Sequence, residues 1–332
     1  MNTKPFISIV IPTRNSQAIL EECLQSIKHL NYSKERLEIL IVDGLSTDDT
    51  RKIAAAYGAT IVINHKKATT AARNLGFEKA KGDLIAYSDD DCIFDENWLE
   101  SSLKYFRVDE KIAGVTGPIH TPNQQNGFAR AVAFLFSLAV IVAKSTHKEI
   151  QPSVQEVRDF PTCNAIYRKD ALNAAMPLDE NLYGGSDLEL NYKLRQQGYK
   201  LLSTPDVQVW HYKRETPKAF FRQMYRYAVG RLQIGKKWPK LLNLAHITAG
   251  LGIPLFIIFL GFSFWLNPNL VFLLIGLALG ALLFICSFAF FKTKSFLISL
   301  LVPAVIVILI TGWSMGFCRE LVLPMRGVRA NR

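Results

Sequence analysis

Charged residues are missing from two long stretches near the C-terminus of this 332-residue chain. No Asp, Glu, Lys or Arg occurs at positions 241–291 or at positions 295–318. A helix needs about 20 mainly apolar residues to cross a membrane, and both stretches are long enough. The sequence therefore excludes an ordinary water-soluble protein and predicts about three transmembrane helices, at residues 244–266, 270–291 and 295–317.

Cysteine is also scarce, and the five cysteines show no CxxC or other paired spacing. This excludes a zinc site or a disulfide framework of the usual kinds. The apolar run in the opening segment MNTKPFISIVIPTRN is too short for a signal peptide and is better interpreted as a strand. We therefore expect a multi-pass protein of the plasma membrane whose polar head lies in the cytoplasm.

Basic residues outnumber acidic ones, and the net charge is +11. Beside membrane spans, such an excess favours anionic lipid headgroups or a phosphorylated ligand over nucleic acid. Residues 216–240 alternate aromatic and basic side chains, a pattern typical of a helix lying on a membrane surface. We predict a catalytic head at residues 1–215, this interface helix at 216–240, and a membrane region with a basic C-terminus at 241–332.

The orientation of the third span stays open. With the head inside, the basic turn at residues 292–294 obeys the positive-inside rule, but the C-terminal arginines would fall outside. Either the third segment, which contains Pro303, does not cross fully, or the rule fails here.

The head alternates short β-branched runs with segments of helical period. This order predicts βαβ units and a mostly parallel sheet with helices on both faces, an α/β fold. The predicted strands are residues 6–11, 37–42, 59–63 and 84–87, with helices at 18–30, 50–57 and 68–81. A second block carries a helix at 187–197, strands at 200–203 and 207–212, and a helix at 216–237. Between the blocks, residues 127–143 are interpreted as a buried or interface helix and residues 145–159 as a mobile loop.

Acidic residues follow the predicted strands, where ligands of such sheets bind. Asp89, Asp90 and Asp91 come directly after the strand LIAY, and Asp43 follows the second strand. Adjacent carboxylates repel one another, and a bound cation can compensate them. A solvated acidic turn would be an equal alternative for the triplet alone, but the second acidic strand end favours a nucleoside diphosphate bound through a metal.

These segments resemble the family 2 glycosyltransferases, which have the nucleotide-sugar (GT-A) fold. The likeness lies in SIVIPTRN, EILIVDGLSTDDT, AARNLGFEKAKGDLIAYSDDDC, NAIYRKDAL and GGSDLELNYKLRQQGYKLLSTPDVQVWHY, in the family's order. It covers roughly residues 5–230. The apolar tail resembles that of membrane-bound members that build exopolysaccharides or extend lipid-linked glycans.

The resemblance implies which residues hold the donor and its metal. Pro12, Thr13 and Asp43 would contact the nucleoside, and Arg73 would lie beside the nucleotide. Asp89, Asp90 and Asp91 would bind the donor: Asp89 and Asp91 would be the DXD pair that ligates Mg²⁺ or Mn²⁺, with Asp91 as the more direct ligand.

The resemblance also assigns the chemistry of the acceptor side. Asp187 would be the general base, although Ser186 precedes it where the family usually has Glu. The segment Gln223 to Tyr227 is similar to the QxxRW motif of processive synthases but has Tyr for Trp, and Arg226 would stabilise the leaving diphosphate. From the residues alone, Asp187 could instead be a helix N-cap.

Other readings of the basic and histidine residues remain. Arg222 and Arg226 could bind lipid headgroups, and His211, at a predicted strand end, is interpreted as structural.

The sequence thus predicts an inverting glycosyltransferase that uses a nucleotide sugar, with a uridine diphosphate sugar favoured over a guanosine diphosphate sugar. The expected acceptor is a lipid-linked glycan, because an anchored enzyme meets a membrane-confined acceptor at high local concentration. A polyprenyl-phosphate glycosyl synthase is the alternative, followed by a processive synthase. A non-catalytic nucleotide-binding scaffold is the alternative of another class. We expect membrane lipids as partners, a homodimer as an option, and no nucleic acid.

Overall fold

The computed structural model describes residues 4–138 and 152–324. Strands and helices alternate through the first half of the chain, and long helices follow. The strands are β1 Ile7–Thr13, β2 Leu37–Asp43, β3 Thr60–Ile63, β4 Leu84–Tyr87, β5 Cys92–Phe94, β6 Ile112–Thr116, β7 Ile119–His120, β8 Gln155–Glu156, β9 Ala165–Arg168, β10 Lys200–Ser203 and β11 Val209–His211. The helices are α1 Leu20–Lys28, α2 Thr50–Ala56, α3 Thr69–Lys79, α4 Trp98–Val108, α5 Gly127–Ser137, α6 Lys169–Asn173, α7 Ser186–Gln196, α8 Pro217–Lys237, α9 Leu244–Leu266, α10 Pro268–Thr293 and α11 Phe296–Val322.

Eight strands form one sheet in the order β3-β2-β1-β4-β9-β6-β10-β8. Most neighbours are parallel, but β9 runs antiparallel to β4 and β6, and β8 runs antiparallel to β10. The predicted mostly parallel sheet is confirmed. Because β1, β2 and β4 are parallel neighbours, their carboxyl ends meet at one edge of the sheet.

Helices cover both faces of this sheet, as the sequence predicts. Successive side chains of a strand point to opposite faces, so Ile9 of β1 packs with α1 and α4 while Val10 packs with α3 and α7. These side chains belong to two buried apolar layers, one on each face of the sheet. The strands are apolar throughout because neither face meets water.

A small second sheet places β11 between β5 and β7. β11 runs antiparallel to β5, and this register sets His211 opposite Cys92. The backbone N–H of Tyr212 then donates to the carbonyl oxygen of Asp91 at 3.1 Å. This hydrogen bond holds the segment that follows β11 beside the acidic triplet.

The segment between the two blocks differs in part from the sequence prediction. Residues 155–156 form β8 and pair with β10, so the expectation of an unstructured loop is wrong there; residues 145–151 of that predicted loop lie outside the described residues. Helix α5 is present and packs Val132 and Leu135 into an apolar cluster with α8 and α11. The predicted continuation of this helix beyond residue 138 also lies outside the described residues.

Within the described ranges, three helices are long and apolar enough to cross a membrane, namely α9, α10 and α11. Helix α11 continues through Pro303 and packs one face against α8. The close approach depends on glycine: a Cβ at Gly316 would lie 2.4 Å from the carbonyl oxygen of Tyr225. The apolar helices are therefore joined to the head through α8.

Asn164 connects three parts of the head through its buried side-chain amide. Its Oδ1 accepts a hydrogen bond from Trp98 Nε1 at 2.8 Å, and its Nδ2 donates to the carbonyl oxygen of Val207 at 2.8 Å. Each buried polar group left without a partner costs about 1–3 kcal/mol. Asn164 thus ties α4 to the segment that leads into β11.

We predict that Asn164→Ala lowers the free energy of unfolding by about 2–3 kcal/mol, because it leaves the indole N–H and the carbonyl buried without partners. Thermal unfolding of the purified protein in detergent measures this. Asn31→Ala, which removes an exposed side-chain hydrogen bond to Asn97, is the control and should change stability little. Equal effects of the two substitutions would contradict this role of Asn164.

Candidate active site

The acidic triplet lies at the carboxyl end of β4, and its last member is buried in an ion-paired cluster. Asp91 Oδ1 lies 3.0 Å from His211 Nε2, and Asp91 Oδ2 accepts a hydrogen bond from Arg214 Nη1 at 3.0 Å. The Asp91 side chain is only 9% exposed, whereas that of Arg214 is 44% exposed. The cluster thus extends from the protein interior to solvent.

The charges in this cluster stabilise one another. Burial alone would raise the pKa of the Asp91 carboxyl, but the charges of His211 and Arg214 hold it well below its usual range. Burial opposes charge on His211 as well, yet the carboxylate of Asp91 raises the pKa of His211 to about 10. Asp91 is therefore an anion at neutral pH in this environment.

The other two aspartates of the triplet have different partners. Asp90 accepts a hydrogen bond from the Ser16 hydroxyl, and burial together with the charge of Asp91 raises the pKa of Asp90 to about 7. Asp89 Oδ1 lies 3.4 Å from Arg73 Nη2. The three carboxylates thus face three different groups, although the charge of Asp91 still acts on Asp90.

Arg73 joins the triplet to the segment that holds Asp187. Its Nη1 donates to Ser186 Oγ at 2.7 Å while its Nη2 faces Asp89. The guanidinium is almost fully buried. Arg73 therefore links the residue directly before Asp187 to the first aspartate of the triplet.

Asp187 lies in the first turn of α7 and is partly exposed. The N-cap of this helix is Gly185, in the left-handed conformation at φ 81°, so the alternative that Asp187 is the N-cap is wrong. Tyr227 of α8 is within electrostatic range of both Asp187 and Arg214. This tyrosine is the last residue of the QxxRW-like segment.

The predicted nucleoside contacts lie at the ends of β1 and β2. Pro12 and Thr13 end β1, and Thr13 pairs with Asp43 across the two strands. The fully buried Asp43 carboxylate accepts hydrogen bonds from the Ser46 backbone N–H and hydroxyl, and Arg51 Nε lies 3.7 Å away. These groups lie at the same sheet edge as the triplet, and their contacts with a nucleoside stay a prediction.

Arg226 lies on α8, where its guanidinium faces the ring of Tyr183 at 5.7 Å. The triplet is contacted instead by Arg73, as described above, and by Arg214, which the sequence analysis did not single out. His211 was singled out, but only as structural. His211 ends β11 and Arg214 follows it in the segment VWHYKRE. Their closeness to Asp91 depends on the pairing of β11 with β5, which periodicity does not reveal.

The buried end of the cluster has the donor atoms of a metal site. Asp91, Cys92 and His211 each place a potential ligand atom within 4.8 Å of the others. Asp91 Oδ1 and His211 Nε2 are buried and face each other without the geometry of a hydrogen bond. Carboxylate oxygen and imidazole nitrogen are common ligands of divalent metals, so these residues fit a cation.

The fold and the acids at its strand ends define a glycosyltransferase of the GT-A fold. The family model described as glycosyl transferase family 2 matches residues 8–175, and the chain belongs to this family. The family predicted from the sequence is confirmed.

Known relatives agree with this assignment. The chain is 26% identical over 242 residues to the glycosyltransferase AglE of Haloferax volcanii, covering 70% of this chain and 75% of the relative. It is 29% identical over 253 residues to the dolichyl N-acetyl-alpha-D-glucosaminyl phosphate 3-beta-D-2,3-diacetamido-2,3-dideoxy-beta-D-glucuronosyltransferase of Methanococcus voltae, covering 71% of this chain and 76% of the relative.

A solved structure shares the fold over most of the chain. It is the mannosyltransferase PcManGT of Pyrobaculum calidifontis, determined with GDP-mannose and Mn²⁺, at a TM-score of 0.63 and 18% identity. The likeness covers 93% of this chain and 88% of that one. It therefore includes the apolar helices as well as the head.

Helix α8 packs directly against the backbone that precedes Asp187. A Cβ at Gly230 would lie 2.6 Å from the carbonyl carbon of Gly184 and 2.7 Å from its oxygen. Backbone atoms at this distance have to move, which in a packed region costs about 1–3 kcal/mol. Only glycine therefore fits at position 230 without displacing this segment.

We predict that Gly230→Ala destabilises the protein by about 1–3 kcal/mol through this overlap. Gly276→Ala is the matched control, because it is also a helical glycine and a Cβ there meets nothing within 4 Å. Thermal unfolding of the two variants in detergent provides the comparison. If Gly230→Ala melts at the same temperature as Gly276→Ala, the close packing of α8 on Gly184 is wrong.

Proposed function

We propose that this chain transfers a sugar, with inversion, from a nucleoside diphosphate sugar to a lipid-linked glycan at the plasma membrane, with its head in the cytoplasm. The observation that carries the proposal is the buried Asp91 carboxylate, which faces His211 and Arg214 at 3.0 Å each. A carboxylate and an imidazole that could ligate a metal, beside the partly exposed guanidinium of Arg214, suit a diphosphate. The name of the Methanococcus voltae relative describes transfer to a dolichyl-phosphate-linked sugar.

Asp91 and His211 would hold a Mg²⁺ or Mn²⁺ ion, for which the His211 imidazole would release its Nε2 proton to solvent. When bound, such an ion neutralises charge on the diphosphate leaving group. Asp89 stays a predicted second carboxylate ligand, and in the structure it faces Arg73.

Arg214 supplies a positive charge at the solvent side of the cluster. Its long side chain is 44% exposed while one nitrogen contacts Asp91. A guanidinium placed there can donate to the diphosphate oxygens as they gain charge during departure. We propose that Arg214, rather than Arg226, stabilises the leaving diphosphate. We further propose that Arg226, on α8, acts on the acceptor side of the site.

Asp187 would accept the proton of the acceptor hydroxyl. A positioned carboxylate takes this proton as the oxygen attacks the anomeric carbon, and one direct attack opposite the leaving group inverts that carbon. Asp187 is partly exposed and shares its site with the triplet through Arg73. These are the position and the accessibility that a base needs.

Helix α8 and the apolar helices would bring this base to a membrane-confined acceptor. One face of α8 packs on the head and on α11, while Lys218, Arg222 and Arg226 are exposed. Basic side chains at a membrane surface attract anionic headgroups. If the direct acceptor is a polyprenyl phosphate, the alternative of a polyprenyl-phosphate glycosyl synthase is favoured. If no donor is turned over, the non-catalytic nucleotide-binding scaffold is favoured.

The first test is a panel of UDP-glucose, UDP-N-acetylglucosamine and GDP-mannose with purified protein and Mn²⁺, measuring release of nucleoside diphosphate with and without polyprenyl-diphosphate-linked sugar.

We predict that Asp187→Asn lowers kcat by about 100-fold or more and leaves the KM of the donor within about threefold, because the amide cannot accept the proton.

Asp170→Asn is the matched control for this substitution. Asp170 also lies in the first turn of a helix and accepts a hydrogen bond from the next backbone N–H, at 2.7 Å, as Asp187 does at 3.0 Å. It should leave kcat unchanged. Near-normal transfer by Asp187→Asn would exclude it as the base.

We also predict that His211→Ala weakens Mn²⁺ binding by at least about tenfold, because the site loses a nitrogen ligand. Electron paramagnetic resonance of free Mn²⁺ gives the affinity without any substrate. His29→Ala, at an exposed histidine of the head, is the control. An unchanged Mn²⁺ affinity in folded His211→Ala would show that the cation binds elsewhere.

A further inference from the structure

Glu320 is an unusual residue in the apolar part of the chain. It is the only acidic residue after Lys240, and it lies near the end of α11 with 2% of its surface exposed. A buried carboxylate in such a helix is costly unless it is paired, and it commonly marks a functional position. Its charge is met by Lys236 of α8, whose Nζ lies 2.9 Å from Oε1.

A second residue of α8 extends this contact toward the active site. Gln233 Nε2 donates to Glu320 Oε2 at 3.3 Å, and Gln233 Oε1 accepts from the backbone N–H of Tyr183 at 2.7 Å. The two neighbours fix the amide orientation, because the carboxylate only accepts and the N–H only donates. An unbroken chain of hydrogen bonds therefore runs from α11 to Tyr183.

Tyr183 begins the five-residue segment that ends at Asp187. Its next two residues are Gly184 and Gly185, which leave the backbone many accessible conformations unless neighbours restrict it. Lys237 of α8 adds a contact on the N-terminal side, where Nζ lies 2.8 Å from Asp179 Oδ2. The segment that presents Asp187 is thus held from the side of α8.

We propose that Gln233 and Glu320 are positioning residues for Asp187. Through the Tyr183 backbone they fix the segment that presents the carboxylate, so that packing of the apolar helix α11 on α8 sets the orientation of the base. The inference rests on the proposed role of Asp187. It gives a function to the charged pair that Lys236 of α8 and Glu320 of α11 form.

The kinetic test uses the full-length protein and the donor of the panel that is turned over. We expect Gln233→Leu to lower kcat by about 10- to 100-fold, as small misplacements of catalytic groups do, with the KM of the donor unchanged. Gln196→Leu, at an exposed glutamine of α7, is the matched control. In the Asp187→Asn background, Gln233→Leu should cause no further loss, because it acts only through Asp187.

A charge exchange separates positioning from simple packing. In the double variant Gln233→Glu with Glu320→Gln, the carboxylate at 233 can accept from both Tyr183 N–H and the amide at 320. We expect it to recover kcat to within about threefold of the parent, while Gln233→Glu alone, which sets two carboxylates against each other, is impaired. Failure of the exchange to recover any activity, in protein that melts normally, would overturn the proposal.

Hydrogen–deuterium exchange provides a readout that needs no substrate. The amide of Tyr183 should exchange at least about tenfold faster in Gln233→Leu and return to the parent rate in the charge exchange. Unchanged protection would overturn the proposal. If Asp187→Asn is inactive while Gln233→Leu turns over normally, only this inference fails; if Asp187→Asn is active, the proposed function fails with it.

Discussion

The structure depends on one buried negative charge, the carboxylate of Asp91 at the end of β4. An isolated carboxylate in the interior would cost several kcal/mol, so the fold has to bring positive groups to it. Pairing of β11 with β5 supplies His211, and the following segment supplies Arg214 from the solvent side. We propose that a cation and a diphosphate exchange with these groups, which would make the same cluster a site for a charged donor.

The second constraint acts from the side of the apolar helices. The segment at residues 183–187, which ends at Asp187, contains two glycines. Arg73 contacts it from within the head, and Gln233 and Gly230 contact it from α8. Helix α8 in turn packs along α11. The proposed base is therefore placed where the head meets the apolar helices, as transfer to a membrane-confined acceptor requires.

Local patterns in the sequence were enough to predict β1 to β4 and β10, the helices between the first four strands, and the three apolar helices, because each depends on periodicity or on length. The strand ends that carry Asp43 and the triplet follow from the same patterns. The partners of Asp91 do not, since they depend on the register between β11 and β5, which are far apart in the chain. For the same reason, Arg214 was not singled out. β8 was missed because its pairing with β10 is tertiary, and β6 and β9 were not predicted either.

The central claim is that Asp91 and His211 bind a cation that carries the donor diphosphate. Its most direct test is an experimental structure of the full-length protein with Mn²⁺ and UDP or GDP. The account predicts Mn²⁺ bonded to Asp91 and His211, with the diphosphate beside Arg214 and the nucleoside at the ends of β1 and β2. A nucleotide bound away from the carboxyl end of β4, with the Asp91–His211 pair intact, would contradict it.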